Sequence, residues 1–152
     1  MDKLIMCKVE GVEVKTPVRA HDTDAGIDFF VPENFPETTL QPGEDVLIPS
    51  GIRVVVPEGY ALIAKEKSGV ATKKKLTCGA SVVDSDYRNQ IHIHLFNFSS
   101  NLQVIKPGDK IIQFVLIPIG LHQPELINEK LYEELYLNTE RGLGGFGSTG
   151  SR

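Results

Sequence analysis

The sequence predicts an all-β domain, an antiparallel sandwich or barrel-like roll, and three observations carry that expectation. Helical periodicity is almost absent, whereas short runs of β-branched residues recur: VEVKTPV, DVLIPSGIRVVVPEGYALIA, SVVDSDYRNQIHIHLF and LQVIKPGDKIIQFVLIPI. Nine prolines and fourteen glycines punctuate those runs. The connections between runs are too short for βαβ units, so a doubly wound nucleotide fold is disfavoured.

Taken in chain order, the first run is residues 12–18 and the second, 45–64, is broken by Pro-Ser-Gly and Pro-Glu-Gly turns. Residues 68–75 suit one short helical turn with Ser68 as its cap. The third run is split by a polar stretch, Asp84-Ser85-Asp86-Tyr87-Arg88-Asn89-Gln90, and reads as a hairpin. In the fourth, Pro107-Gly108-Asp109 turns the chain into a buried strand whose one polar residue, Gln113, needs a partner. Residues 129–137 carry good helix formers. From Gly142 onward the chain is too glycine-rich to fold onto itself, so it orders only against something else.

With 152 residues, 41% hydrophobic and 24% charged, the chain suits one globular domain, and no apolar run is long enough to span a bilayer. Residues 1–140 are expected to form that domain and 141–152 a flexible arm. The N-terminal stretch MDKLIMCKVEGVEVK has no secretory-signal pattern, and a cytoplasmic location is expected. Cys7 and Cys78 form no C-x-x-C pair, which points to free structural thiols. Sixteen basic against twenty acidic residues, net −4, argue against a broad basic face for nucleic acid. A small anionic ligand is still compatible with that balance.

Gly142, Gly144 and Gly147 spell G-x-G-x-x-G. A dinucleotide fingerprint needs a following helix and an acidic residue about 20 positions on, and only five residues follow Gly147. A P-loop would need Lys where Ser148 stands. The glycines still permit close backbone approach to an anion, and Phe146 among them suits stacking on a flat ligand.

Four further clusters are candidates for chemistry. The 84–90 hairpin tip is either a solvated turn or the seat of a general base, Asp84. Asp22, Asp24 and Asp28 around an Ala-Gly turn are either a polar loop or part of a magnesium site held through waters. Glu66-Lys67-Ser68-Gly69, ahead of Thr72 and three lysines, has the ingredients of an anion seat, or else is a solvated basic turn. His92 and His94 alternate on one strand face but lack a third metal ligand nearby.

In this order five motifs resemble those of the trimeric dUTPase family: AHDTDAGID (20–28), KSGVA (67–71), GASVVDSDYRNQI (79–91), GDKIIQ (108–113) and RGLGGFGSTG (141–150). The resemblance implies a jelly-roll-like domain and a homotrimer with three sites at subunit interfaces. It also implies Mg²⁺-dependent hydrolysis of dUTP to dUMP and pyrophosphate, which limits uracil in DNA and supplies dUMP for thymidylate synthesis. Asp84 would activate the attacking water and Asp28 would hold Mg²⁺ through its waters. Tyr87 would lie under the deoxyribose and exclude a 2′-hydroxyl. The hairpin, with Ser81, Val82 and Ile91, would read uracil largely through backbone groups. Lys67, Ser68, Gly69 and Gln113 would contact phosphates. Arg141, Gly147, Ser148 and Thr149 would wrap the terminal phosphates while Phe146 covers the base.

Four positions depart from the family pattern. Lys67 stands for an arginine, exchanging a bidentate fork for a point charge. Ser81 and Asn89 stand for glycines, Asn89 being expected to tolerate a left-handed turn. His92 replaces a small residue. Two other functions fit less of the chain. A regulatory protein that works through partner contacts would account for Lys67 and for the otherwise unassigned residues 125–137. A dCTP deaminase would need a glutamate in the hairpin, where Asp-Ser-Asp-Tyr-Arg has none.

Overall fold

Alternating apolar residues turn each later run into strand, and every pairing between strands is antiparallel. A computed structural model describes residues 2–150. It divides into two compact units, Met1–Gly120 and Leu121–Arg152.

The first unit holds eleven strands among the described residues: β1 (Met6–Lys8), β2 (Gly26–Phe30), β3 (Thr38–Leu40), β4 (Asp45–Pro49), β5 (Ile52–Val54), β6 (Tyr60–Glu66), β7 (Leu76–Cys78), β8 (Val82–Val83), β9 (His92–Asn97), β10 (Gln103–Ile105) and β11 (Lys110–Pro118). The principal sheet has the order β2-β11-β6-β8, and a second has the order β4-β9-β7. Two-stranded pairs β1-β5 and β10-β3 complete a jelly-roll-like fold. The run 12–18 forms no regular strand. Pro17 lacks an N–H for a ladder, and the segment contributes one bridge, in which Val18 exchanges both backbone hydrogen bonds with Asp28.

The core lies where the inner faces of the sheets meet. Phe29 and Phe114 pack with ring centroids 4.7 Å apart, and Ile48, Leu62, Ile91, Ile93 and Leu95 are buried around the same core. In β11 the register shifts between Lys110 and Ile112, so Ile111 is an extra residue in the pairing with β2. The bulge sets Lys110 opposite Phe30; without it Ile111 would take that place, and the lysine would leave the face that carries Asp28.

Residues 68–75 do form a helical turn, but as a wide π-type turn over Val70–Lys74. Ser68 is not its side-chain cap: its carbonyl accepts from the Thr72 hydroxyl at 2.7 Å, and no side-chain cap is present. In the second unit, α1 (Glu129–Tyr136) begins at Asn128, whose side chain accepts from Leu131 N–H at 2.9 Å. Among the described residues no helix is long and apolar enough to cross a membrane. Cys7 and Cys78 are free thiols.

Removing the Phe29 ring should leave a cavity beside Phe114. Phe29→Ala is expected to lower unfolding free energy by about 3–5 kcal/mol in urea titrations, the usual cost of truncating a buried aromatic.

Candidate active site

The segment between β8 and β9 is not the expected hairpin, because β8 pairs with β6 and β9 with β4 and β7 in the other sheet; it is a loop between sheets, shaped by its own polar residues. Tyr87 N–H donates to Asp84 O at 3.2 Å, and the Tyr87 hydroxyl donates to Gln90 O at 2.9 Å, so the ring spans the loop. Arg88 closes the tip by donating to the carbonyls of Ser85 and Tyr87. Asn89 is not at positive φ; its side-chain oxygen accepts from Gln90 N–H at 2.7 Å, so this turn needs no left-handed residue. The loop is pinned behind by Gln90, which accepts from Gly51 N–H at 3.0 Å, and by Ile91 N–H, which donates to Ile52 O at 2.8 Å.

Beside this loop lies a cleft of about 180 Å³ lined by Ala80, Val82, Val83, Asp84, Tyr87, Ile91, His92 and Phe114. Its walls are largely apolar, and Asp84 is exposed with no ion pair among the described residues. A flat heterocycle with a carboxylate beside it is the chemistry such a slot accommodates. Ser81 is not among the lining residues; its carbonyl accepts from Ala64 N–H at 2.8 Å.

A second cluster occupies the polar face of the principal sheet. Asp28 is 3% exposed, and its two oxygens are met by Lys67 Nζ at 2.5 Å and Lys110 Nζ at 3.2 Å. Gln113 pairs directly with Asp28 on β2 and with Lys65 on β6, and its amide donates to Glu66 O at 2.9 Å. Gly26 makes room for that amide, because a Cβ there would come within 2.0 Å of Gln113 Oε1. One carboxylate is thus surrounded by cations at the start of the Lys67-Ser68-Gly69 segment, an arrangement suited to an anion. The turn expected at Ala25-Gly26 lies earlier, around Asp22 and Thr23, because Asp24 folds back to accept from His21 N–H at 3.0 Å. That bond is the main reason the Asp24 carboxyl lies below its ordinary range. Asp22, Asp24 and Asp28 therefore do not form one acidic cluster.

Glu66, which heads the anion-seat segment in the sequence without a role of its own there, ties these parts together. Its carboxylate accepts from the Thr77 hydroxyl at 2.5 Å, from Cys78 N–H at 2.9 Å and from Cys78 Sγ at 3.3 Å. The Thr77 bond, then the Cys78 backbone bond, hold its carboxyl down at about 2. Burial first, and the Glu66 carboxylate second, push the Cys78 thiol up. The only signal for this clamp was a charged residue ending an apolar strand. His94 cannot pair with His92 toward a metal, since both its ring nitrogens are engaged, one by Ala80 N–H at 2.9 Å and the other by Asp45 at 2.7 Å.

The remaining sequence candidates sit in the second unit. Arg141 Nε donates to Gly144 O at 2.7 Å, and Arg141, Gly144, Ser148 and Thr149 line a shallow hollow. Gly147 has φ +95°, and Phe146 takes φ +47°, rare for an aromatic, with its ring fully exposed.

No contact joins Asp84 to Asp28 within the chain. Asp28 lies on β2 and Asp84 follows β8, at opposite edges of the β2-β11-β6-β8 sheet and displaced along the strands, so they are more than three strand spacings, roughly 14 Å, apart.

The dUTPase family model matches residues 12–150, and this chain belongs to that family. A deoxyuridine 5'-triphosphate nucleotidohydrolase from Mycobacterium sp. (strain JLS) is 37% identical over 91% of this chain and 89% of the relative. One from Neisseria meningitidis serogroup B is 34% identical over 89% and 87%. Among solved structures, a mutant dUTPase of the staphylococcal phage 80alpha is 26% identical with a TM-score of 0.81, covering 97% of this chain and 98% of that one. A mutant dUTPase from phage phi11 of S. aureus, described with a coordinated structural Mg(II) ion, is 25% identical with a TM-score of 0.74, covering 84% and 98%.

The Glu66 clamp makes stability depend on pH with a definite sign. A carboxyl held at about 2 in the fold, against 4.5 ordinarily, adds stability that is complete above pH 4.5 and is lost as pH falls toward 2. Urea midpoints measured from pH 5 down to about 2 should fall less steeply for Glu66→Gln than for the parent protein.

Proposed function

We propose that the protein hydrolyses dUTP to dUMP and pyrophosphate, with uracil in the Tyr87 cleft and the triphosphate on the cationic face around Asp28. The observation that carries this reading is an apolar, ring-sized cleft with the unpaired carboxylate of Asp84 at its side, within a chain of the dUTPase family. Asp84 takes the proton of the attacking water as the water closes on the α-phosphate. The Tyr87 ring, held by its bond to Gln90, lies under the deoxyribose and leaves no room for a 2′-hydroxyl. Exposed backbone groups of the loop between β8 and β9 read the edge of uracil, and mismatched bases leave a buried polar group unpaired.

Lys67, Ser68, Gly69 and Gln113 hold the phosphates. Among the described residues no three acidic, histidine or cysteine side chains gather as a metal cage. A single buried carboxylate beside a phosphate seat nevertheless fits Mg²⁺, which is commonly bound by substrate phosphates and one or two carboxylates and keeps several waters. Asp28 would hold it through those waters, since each of its oxygens keeps a lone pair beyond its lysine bond. When bound, Mg²⁺ neutralises the triphosphate and the charge that develops on the leaving pyrophosphate.

The separation of Asp84 from Asp28 across the sheet supports a homotrimer whose sites each draw on more than one copy. Residues 141–152 act as an arm, with Phe146 stacking on the base while Arg141, Gly147, Ser148 and Thr149 close on the terminal phosphates. The expected setting is cytoplasmic, in keeping with the free thiols.

Pyrophosphate release should occur with dUTP and Mg²⁺ and fail with dTTP, dCTP and UTP; an inert protein in the dUTP arm would end this reading. Asp84→Asn should lower kcat by about 10²–10⁴-fold with little change in KM, the usual worth of a general base. Deleting residues 141–152 should leave the core's unfolding transition in place while severely reducing turnover. Shared sites have a sharper test, in which inactive Asp84→Asn and Asp28→Asn chains are refolded together. Intersubunit sites should then return up to about a quarter of parental activity, by random mixing, whereas sites within one chain should return none.

A further inference from the structure

The cleft wall that contains Ala80 belongs to neither sheet. After β7 the chain leaves the β4-β9-β7 sheet, and by β8 it has joined β6 in the other; Gly79, Ala80 and Ser81 make the crossing. Its two ends continue the β7–β9 and β6–β8 ladders, and Ala80 between them needs another anchor, so three bonds hold the crossing. Two of the three here come from one residue. Gly79 N–H donates to His94 O at 3.1 Å, and Ala80 N–H donates to His94 Nδ1 at 2.9 Å. The third is Ser81 O, which accepts from Ala64 N–H.

The imidazole lies flat against this crossing. A Cβ on Gly79 would stand 2.1 Å from Nδ1 and 2.5 Å from Cε1, so the glycine and the ring require one another. Because Nδ1 accepts from a backbone N–H, it carries no proton, and the ring is the Nε2–H tautomer. Nε2–H then donates to Asp45 Oδ2 at 2.7 Å, on the adjacent strand β4. The chain Asp45–His94–Ala80 therefore runs from a carboxylate through an oriented imidazole to the backbone of the cleft wall.

We propose that His94 is a positioning residue for the nucleotide cleft: its neutral imidazole, oriented by Asp45, holds the Gly79–Ser81 wall through the Ala80 amide. The proposal rests on the dUTP reading only for its kinetic consequence. When the ring takes a second proton both nitrogens become donors, and Nδ1–H then faces the Ala80 N–H that it had been accepting. The strut is lost, and Ala80 no longer sets the width of the slot. Asp45 on β4 and His92, two residues along β9, are the titratable groups on this face by register. From β7, Thr77 brings the Glu66 carboxylate, which it and Cys78 hold at about 2 so that it stays ionised where imidazoles titrate, and the Cys78 thiol is pushed up away from that range; Gly79 and Ala80 in the crossing bring none. Asp45 keeps its bond to the ring in either state, so it orients the imidazole without releasing it.

The experiment uses the full chain with dUTP and Mg²⁺, following KM and kcat separately between about pH 5.5 and pH 8, where imidazoles titrate. For the parent protein KM should rise several-fold at the acid end. In His94→Gln the side-chain oxygen can accept from Ala80 N–H without titrating, so that rise should shrink to near one. In His92→Gln it should persist. An equal acid-side rise in parent and His94→Gln, or its loss only in His92→Gln, overturns the proposal. A second measurement stands apart from activity: the Ala80 amide resonance in ¹H–¹⁵N spectra of ¹⁵N-labelled protein. It should shift with the same midpoint as the His94 ring, and an Ala80 amide that stays put while His94 titrates also overturns the proposal. Absence of dUTP hydrolysis at every pH would sink the functional reading and leave the amide measurement to decide the role of His94.

Discussion

At the end of β6 a single residue holds three directions of chain together. The Glu66 carboxylate takes donors from Thr77 and Cys78 on β7, while its carbonyl takes the Gln113 amide from β11. Lys67, the next residue, turns to the Asp28 carboxylate on β2. β6 and β7 belong to different sheets, so this clamp fixes the separation of the two layers beside the site. The clamp uses charge-assisted hydrogen bonds, which are stronger than neutral ones and depend more tightly on geometry. Lys67 is positioned because Glu66 is; Gln113 is positioned because it bonds the Glu66 backbone and because Gly26 leaves it room.

Charge at Asp28 obeys a related constraint. A carboxylate 3% exposed on the β2 edge of the sheet has lost most of its water, and only close cations or donors can offset that loss. Two lysines do so, each as a point charge with a flexible stem. An arginine at Lys67 would engage a carboxylate as a planar fork, whereas a lysine supplies one direction of contact and leaves the second oxygen to Lys110. Lys110 reaches it because of the bulge at Ile111, so a backbone irregularity in β11 and a side-chain exchange at residue 67 serve the same ion cluster. The three-centre arrangement is also what leaves excess positive charge on this face once Asp28 is neutralised.

Much of this was legible in the sequence where a local rule decides the outcome. The later β-branched runs became strands, Pro107-Gly108-Asp109 became the turn before β11, the helix formers of 129–137 became a helix over Glu129–Tyr136, and Gln113 had its amide partner. Expectations failed where a side chain found a partner distant in sequence or simply closer at hand. Asn89 is a residue that tolerates a left-handed backbone where the family pattern has glycine, but its own oxygen bonds the next amide and φ is not positive. Ser68 was expected to cap, but the wide π turn begins after it, and Thr72 uses its carbonyl instead. The acids near residue 24 were expected to cluster, but Asp24 satisfies His21 while Asp28 enters the sheet. The partners of Glu66, Lys110 and His94 were not legible because each comes from a separate strand, and register between strands is not written in either strand alone.

The glycine-rich end shows why a motif is read through its context. Gly147 sits at φ +95° and Gly142 at +51°, conformations in which an L side chain is strained. Phe146 accepts such a conformation at φ +47° although it is aromatic, while Arg141 curls back onto Gly144 O. These turns are closed by short backbone bonds, from Gly144 to Arg141, Ser148 to Gly145 and Gly150 to Gly147, rather than by a packed core. A segment held only by such local bonds gives up little structure when it is re-formed against a ligand. Its fully exposed aromatic ring also has much apolar surface to gain by stacking. In the proposed site the pattern G-x-G-x-x-G would do what glycine does in a phosphate-binding loop, freeing backbone N–H groups to approach an anion. A helix end would supply that approach as a fixed dipole; a chain of turns would supply it as a surface able to form around the proposed substrate.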